Sequence, residues 1–169
     1  MKRIGFGQVE PNHLSAQRTG QIYAQLPAAE DLKILENGMF VKYDYENNQV
    51  NLTGDGEWLL VLNEVKLYEG NWRESYKDFA MQASKAASGE IVPRLLKTNV
   101  GDIYTTNCLV SGNTSGSAEV DMGEVAVGDI FSPSATGYLA KAEGDIQFKV
   151  VKVYTMPDGQ EGVKLQRIK

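Results

Sequence analysis

Cysteine and histidine are almost missing from this chain: Cys108 and His13 are each the sole residue of their kind among 169. A lone thiol excludes an internal disulfide and a thiolate zinc cluster. A Cys–His or Ser–His pair would need that one imidazole to fold back from the polar stretch Pro11-Asn12-His13-Leu14-Ser15, so a solvated histidine is the plainer reading. Long apolar runs are missing too; residues 58–62 fall far short of the ~18 that span a bilayer, and no membrane partner is expected. The start Met1-Lys2-Arg3-Ile4-Gly5-Phe6-Gly7 has two cations but no apolar stretch behind them, which does not read as a secretory signal. Synthesis in a reducing cytoplasm is therefore the expectation. Positive charge is in deficit, with 17 Lys+Arg against 22 Asp+Glu, a net charge of −5 and a pI near 5.0. That balance opposes adhesion to phosphate backbones, so no nucleic-acid partner is expected.

What the chain does have is an ordinary globular composition, 42% hydrophobic and 23% charged, and a length suited to one domain plus an appendage. Residues 1–30 form the appendage. Gln and Asn alternate loosely there with Ile4, Phe6, Val9, Ile22, Tyr23 and Leu26, and Gly5, Gly7, Pro11, Gly20 and Pro27 interrupt any regular element. The reading is an extended N-terminal arm that orders against a partner, ahead of a β-rich domain over residues 31–169.

Strand-and-turn patterning begins after residue 32. The Glu36-Asn37-Gly38 turn leads into Met39-Phe40-Val41-Lys42-Tyr43-Asp44-Tyr45, and the polar Glu46-Asn47-Asn48-Gln49 links it to Val50-Asn51-Leu52-Thr53, the signature of a hairpin. Gly54-Asp55-Gly56 reads as a tight turn before a buried strand at 58–62. Residues 71–88 space Trp72, Tyr76, Phe79, Ala80, Ala83 and Ala87 at near-helical intervals, predicting one helix; the competing reading splits it with a strand around 79–82.

The second half echoes itself. Val100-Gly101-Asp102-Ile103-Tyr104 returns as Val127-Gly128-Asp129-Ile130-Phe131, and more briefly as Gly144-Asp145-Ile146-Gln147-Phe148. Gly takes the unusual φ of a turn, Asp bonds back to the backbone, and Ile with the aromatic opens a strand. Three such units predict consecutive antiparallel strands in a compact sandwich or small barrel. No Gly-Lys-Ser/Thr follows, so none is a phosphate loop. Residues 111–118 are a small polar surface loop, and Pro157-Asp158-Gly159-Gln160 turns a terminal hairpin between 146–156 and 163–168.

Candidate chemistry is thin. Asp55 with Glu57, or Glu119, Asp121 and Glu124, offer calcium oxygens but lack an EF-hand loop, and solvated acids explain them as well. Some pair among 22 acids always suits a glycosidase, yet no motif selects one. The aromatics Tyr43, Tyr45 and Trp58 suit a sugar platform, and core packing more readily. No catalytic residue, metal ligand or cofactor is assigned.

The Asn37-Gly38-Met39-Phe40-Val41 strand opening, the segment Val100-Gly101-Asp102-Ile103-Tyr104-Thr105-Thr106-Asn107 and the closing hairpin Tyr154-Thr155-Met156-Pro157-Asp158-Gly159-Gln160 resemble the small structural proteins of tailed-phage heads, the decoration, cement and head-fiber types. The resemblance implies a non-enzymatic virion protein on the capsid exterior that binds the major capsid protein. It implies a homo-oligomer, dimer or trimer, with other head proteins as further partners. The arm residues Ile4, Phe6, Val9, Ile22, Tyr23 and Leu26 would be its anchors, and Gly101, Asp102, Gly128, Asp129, Asp158 and Gly159 its structural turns. A carbohydrate- or host-surface-binding module of a fiber or tail, a tail or neck ring component, and a hydrolase are the other readings.

Overall fold

Strand follows strand in this protein because β-branched and aromatic residues recur between Gly, Asn and Asp turns. The computed structural model describes residues 7, 9–10, 26–32, 35–62, 80–81, 94–110, 124–156 and 159–169. Their strands are β1 (Val9–Glu10), β2 (Leu35–Glu36), β3 (Phe40–Asp44), β4 (Gln49–Asn51), β5 (Leu59–Val61), β6 (Ala80–Met81), β7 (Leu95–Leu96), β8 (Ile103–Thr106), β9 (Leu109–Val110), β10 (Ile130–Pro133), β11 (Leu139–Ala140), β12 (Phe148–Thr155) and β13 (Glu161–Arg167).

A seven-stranded sheet runs β1-β8-β13-β12-β10-β11-β9, antiparallel except for the β11–β9 pair, and a four-stranded antiparallel sheet runs β4-β3-β5-β7. β2 and β6 form a third, two-stranded sheet. Among the described residues the two larger sheets pack in a sandwich-like arrangement, with no closed barrel. β5 is buried throughout, which explains its continuous apolar run, and β3 buries Phe40, Val41 and Tyr43. Phe40, Leu60 and Leu96 meet Tyr104, Phe131, Phe148 and Leu165 of the larger sheet, while Val41, Tyr43 and Leu59 join a second cluster with Leu35, Cys108, Val110 and Tyr138.

The predicted helix needs correction. Only Ala80 and Met81 of that stretch are described; they pair antiparallel with Glu36 and Leu35, so a helix unbroken through residues 71–88 is excluded and the strand of the split reading is found. The apolar spacing misled because alanine suits both periods, and tertiary pairing overrides propensity. The rest of that stretch, and the loop at 111–118, lie outside the described residues.

The predicted hairpins stand as expected: β3 and β4 pair from Lys42↔Asn51 to Asp44↔Gln49, and β12 and β13 from Phe148↔Arg167 to Thr155↔Glu161, with a bulge near Val151. Gly159, at φ 85°, closes the second by donating its N–H to the Met156 carbonyl at 2.9 Å.

The sequence echo is a structural echo. Gly101 and Gly128 have φ of 96° and 100°; Asp102 Oδ2 accepts from the Asn99 N–H at 2.8 Å, and Asp129 Oδ2 from Ala126 at 2.9 Å. Each turn also grips the terminal hairpin: Gly101 N–H donates to Arg167 and Gly128 N–H to Val150, at 2.9 and 2.8 Å. Of the three units, the second and third open strands that are antiparallel neighbours, β10 and β12, as expected, while the first does not adjoin the second. β8 and β10 flank the hairpin instead of pairing, because their turns bond to β13 and β12. The register is two-fold about the Lys149↔Gln166 pair: Ile103 faces Gln166 as Ile130 faces Lys149, and Tyr104 faces Leu165 as Phe131 faces Phe148. The third copy departs from this pattern, since Gly144 has no positive φ and Asp145 is exposed.

Asp129 carries a pH prediction. The Ala126 N–H, and then the Lys141 ammonium 2.9 Å away, hold its carboxyl below the ordinary value. A depressed carboxylate stabilises the fold above the unfolded-state pKa and loses that contribution as pH falls through the folded one. Asp129→Asn should lower the urea midpoint slightly at pH 7, with the gap to the parent closing below about pH 4.

Among the described residues two buried hydroxyls, those of Tyr104 and Ser132, lack a hydrogen-bond partner, and Tyr104 is the deeper misfit. The Tyr104 hydroxyl is buried with no hydrogen-bond partner, and burial, with Cys108 acting in the same direction, pushes the phenol well above its usual range. An orphaned buried hydroxyl costs free energy. Tyr104→Phe should therefore raise stability by about 1 kcal/mol in urea denaturation. A loss instead would mean that the hydroxyl has a partner.

Candidate functional site

Buried polar groups concentrate where the N-terminal segment meets the body. The Glu36-Asn37-Gly38 turn lies between β2 and β3 and closes through Met39 N–H to the Glu36 carbonyl at 3.1 Å. Glu36 is 1% exposed. Its Oε2 accepts from the Gly7 N–H at 2.7 Å and its Oε1 from the Tyr138 hydroxyl at 3.1 Å. Asn37, Thr106, Asn107, Cys108 and Gln160 are buried nearby or along the adjoining β8 end; Thr106 Oγ1 accepts from the Cys108 N–H, and Asn107 Nδ2 donates to Gln160 Oε1.

Gly7 sits in this seat because nothing larger fits. A Cβ there would lie 2.5 Å from the Asn37 carbonyl oxygen and 2.8 Å from Glu36 Oε2. Gly38, at φ 92°, is crowded in turn by Cys108, Thr106 and Val9. Two residues on, β1 adds to the edge of β8 through Val9↔Thr106 and Glu10↔Thr105. A side chain so enclosed holds a backbone amide and a phenol hydroxyl together.

The predicted arm anchors divide accordingly. Val9 packs partly buried against the core of the larger sheet, and Leu26 against the other cluster; Ala28 bridges to Val50, and Ala29 N–H donates to the Val50 carbonyl. These described parts of residues 1–30 lie on the chain's own body. Ile4, Phe6, Ile22 and Tyr23 lie outside the described residues, as do His13 and Asp158. Of the predicted turn residues, Gly101, Asp102, Gly128, Asp129 and Gly159 all stand in turns.

The other candidates disperse. Glu57 is paired with Lys97 at 2.6 Å, Glu124 is exposed, and Glu119 and Asp121 lie outside the described residues. Among the described residues no three His, Cys, Asp or Glu converge on a cation site. Tyr43 is core, with its ring 5.4 Å from that of Tyr45, which is 64% exposed; the Lys42 ammonium covers the Trp58 ring at 4.8 Å. Asp44 is held low by amides, first Asn47 and then Gln49.

Sequence reasoning noticed Glu36 only as part of a turn and missed its grip on Gly7 and Tyr138. A carboxylate beside Ile34-Leu35 was the one available signal, and it does not name partners 29 and 102 residues away. No protein-family model, curated protein or solved structure matches the chain, so the likeness to phage-head proteins rests on the quoted residues alone.

Proposed function

We propose that this chain is a non-enzymatic structural protein of a tailed-phage virion, a capsid decoration protein that binds the major capsid lattice and stabilises the head. The observation that carries the reading is the added strand: a polar, glycine-broken leader adheres to a sheet edge by main-chain pairing, and its backbone is seated by Glu36. The same mode lets an arm pair with a neighbouring subunit, where backbone bonds supply adhesion and side-chain pockets supply choice. Many identical weak contacts on a lattice then multiply into firm attachment.

Mass-spectrometric copy counting on purified particles of the encoding phage tests this. Hundreds of copies per head are expected; about a dozen would place the chain at a vertex, neck or tail ring instead, following the closed symmetry of those structures. Absence from particles overturns the reading. A glycan-binding module is the second reading, favoured by the exposed Tyr45 ring beside Tyr43. Glycan-array binding that is lost in Tyr45→Ala would support it.

A further inference from the structure

The charge of this acidic chain is unevenly divided. Residues 26–62 hold seven carboxylates against two lysines, whereas residues 146–169 hold five cations against two carboxylates. Asp44, Glu46, Asp55 and Glu57 lie in or beside β3, β4 and β5 of the four-stranded sheet, and Lys149, Lys152, Lys164 and Arg167 lie on the terminal hairpin at the centre of the larger one. Phe40, Leu60 and Leu96 pack on one face of the larger sheet, against Phe148 and Leu165. The opposite face of that sheet therefore points away from the acidic hairpin.

That outer face is built in rows. One row crosses β8, β13, β12 and β10 as Ile103, Gln166, Lys149 and Ile130; the next starts at the sheet edge and runs Glu10, Thr105, Lys164, Lys152, with Thr105 buried and the cations outnumbering the one acid. Lys149 and Lys152 are exposed and Lys164 half-buried, and the bulge residue Val151 is 36% exposed among them. Among the described residues no ion pair joins any of the three lysines to a carboxylate; Asp129, before β10, is taken by Lys141, and the Lys152 ammonium lies 5.3 Å from the Tyr154 ring. On the other side of the molecule, the β3–β4 tip presents Tyr45 and Glu46. Asp55 stands beside them, because Gly56 N–H bonds to the Tyr43 carbonyl. Asp44 keeps its charge there among amide donors.

From this geometry we propose that copies of the chain associate head to tail, the acidic Tyr45–Glu46–Asp55 tip of one docking on the Lys149–Lys152–Lys164 face of the next. The charges are complementary between copies, and within one copy they belong to different sheets. A face-to-face dimer would set lysine against lysine, whereas a head-to-tail contact closes into a ring or propagates along a surface. This deepens the virion reading by naming a second copy as a partner, and it is tested without a capsid, so either reading can fail alone.

The test is sedimentation velocity of the full chain with two charge-reversed variants, Lys149→Glu/Lys152→Glu/Lys164→Glu and Glu46→Lys/Asp55→Lys. All five positions lie on the surface or half-buried, and urea midpoints verify that both variants fold. The parent should self-associate in low salt and dissociate at about 0.5 M NaCl, where the screening length falls to a few ångströms. Each variant alone should associate at least about tenfold more weakly, and an equimolar mixture of the two should regain the parent's behaviour. A parent that stays monomeric in low salt overturns the proposal, as does association that ignores salt or a mixture that fails to recover. Binding of a DNA duplex by a monomeric parent would assign the lysine face to another anion and equally overturn it.

Discussion

Phe148→Ala should cost about 3–5 kcal/mol of stability, the range for deleting a large buried aromatic. Phe148 is fully buried where the two larger sheets meet. Its ring lies 5.4 Å from Phe40 across the sandwich, tilted, and 5.6 Å from Tyr104 on its own sheet, edge to face. One substitution therefore opens a cavity and removes two ring pairs, each worth about 0.5–1.5 kcal/mol beyond area burial. Against a typical stability of about 5–15 kcal/mol, the variant should show a strongly lowered urea midpoint, or no folded baseline at all. Phe148→Leu should recover more than half of the loss. A cost below about 1 kcal/mol would mean that the two sheets are not held through this residue.

Glu36→Ala is the second large effect, about 3 kcal/mol or more, because it removes the acceptor of two buried donors, the Gly7 N–H and the Tyr138 hydroxyl. Glu36→Gln should be far milder. The amide oxygen can accept from Gly7 while its NH2 donates to Tyr138, whose hydroxyl also accepts. Hydrogen exchange gives a local readout: in Glu36→Ala the Gly7 and Val9 amides should lose protection before those of β12 and β13 do. If Ala and Gln cost the same, the carboxylate is not what seats the N-terminal segment.

The parts of the fold legible in the sequence are those whose cause is local. Asn47-Asn48, Gly101-Asp102, Gly128-Asp129 and Gly159 specify turns through their own φ and their own side chains, and the alternation of Phe40 through Tyr43 needs only its neighbours. The insertion of the terminal hairpin between β8 and β10 was not legible, because Gly101–Arg167 and Gly128–Val150 are bonds between backbones, and backbone groups leave no residue signature. The helix reading of 71–88 failed at Ala80–Met81 for a related reason: their pairing is decided by Leu35 and Glu36, some 45 residues upstream. The seat of Gly7 was invisible because a glycine's fitness there depends on Asn37 and Glu36 coming within 3 Å of a missing Cβ.

The interleaved order of the larger sheet sets a timetable for synthesis. β8 and β10 leave the ribosome before the hairpin that joins them exists, so each waits with an open edge until residues 148–167 have emerged. Such long-range pairing slows folding and leaves unpaired edges available to other nascent chains. The polar stretches around these strands, and the like charge repelling neighbouring copies in the acidic first half, then serve a purpose before any native contact forms: they keep the waiting strands apart.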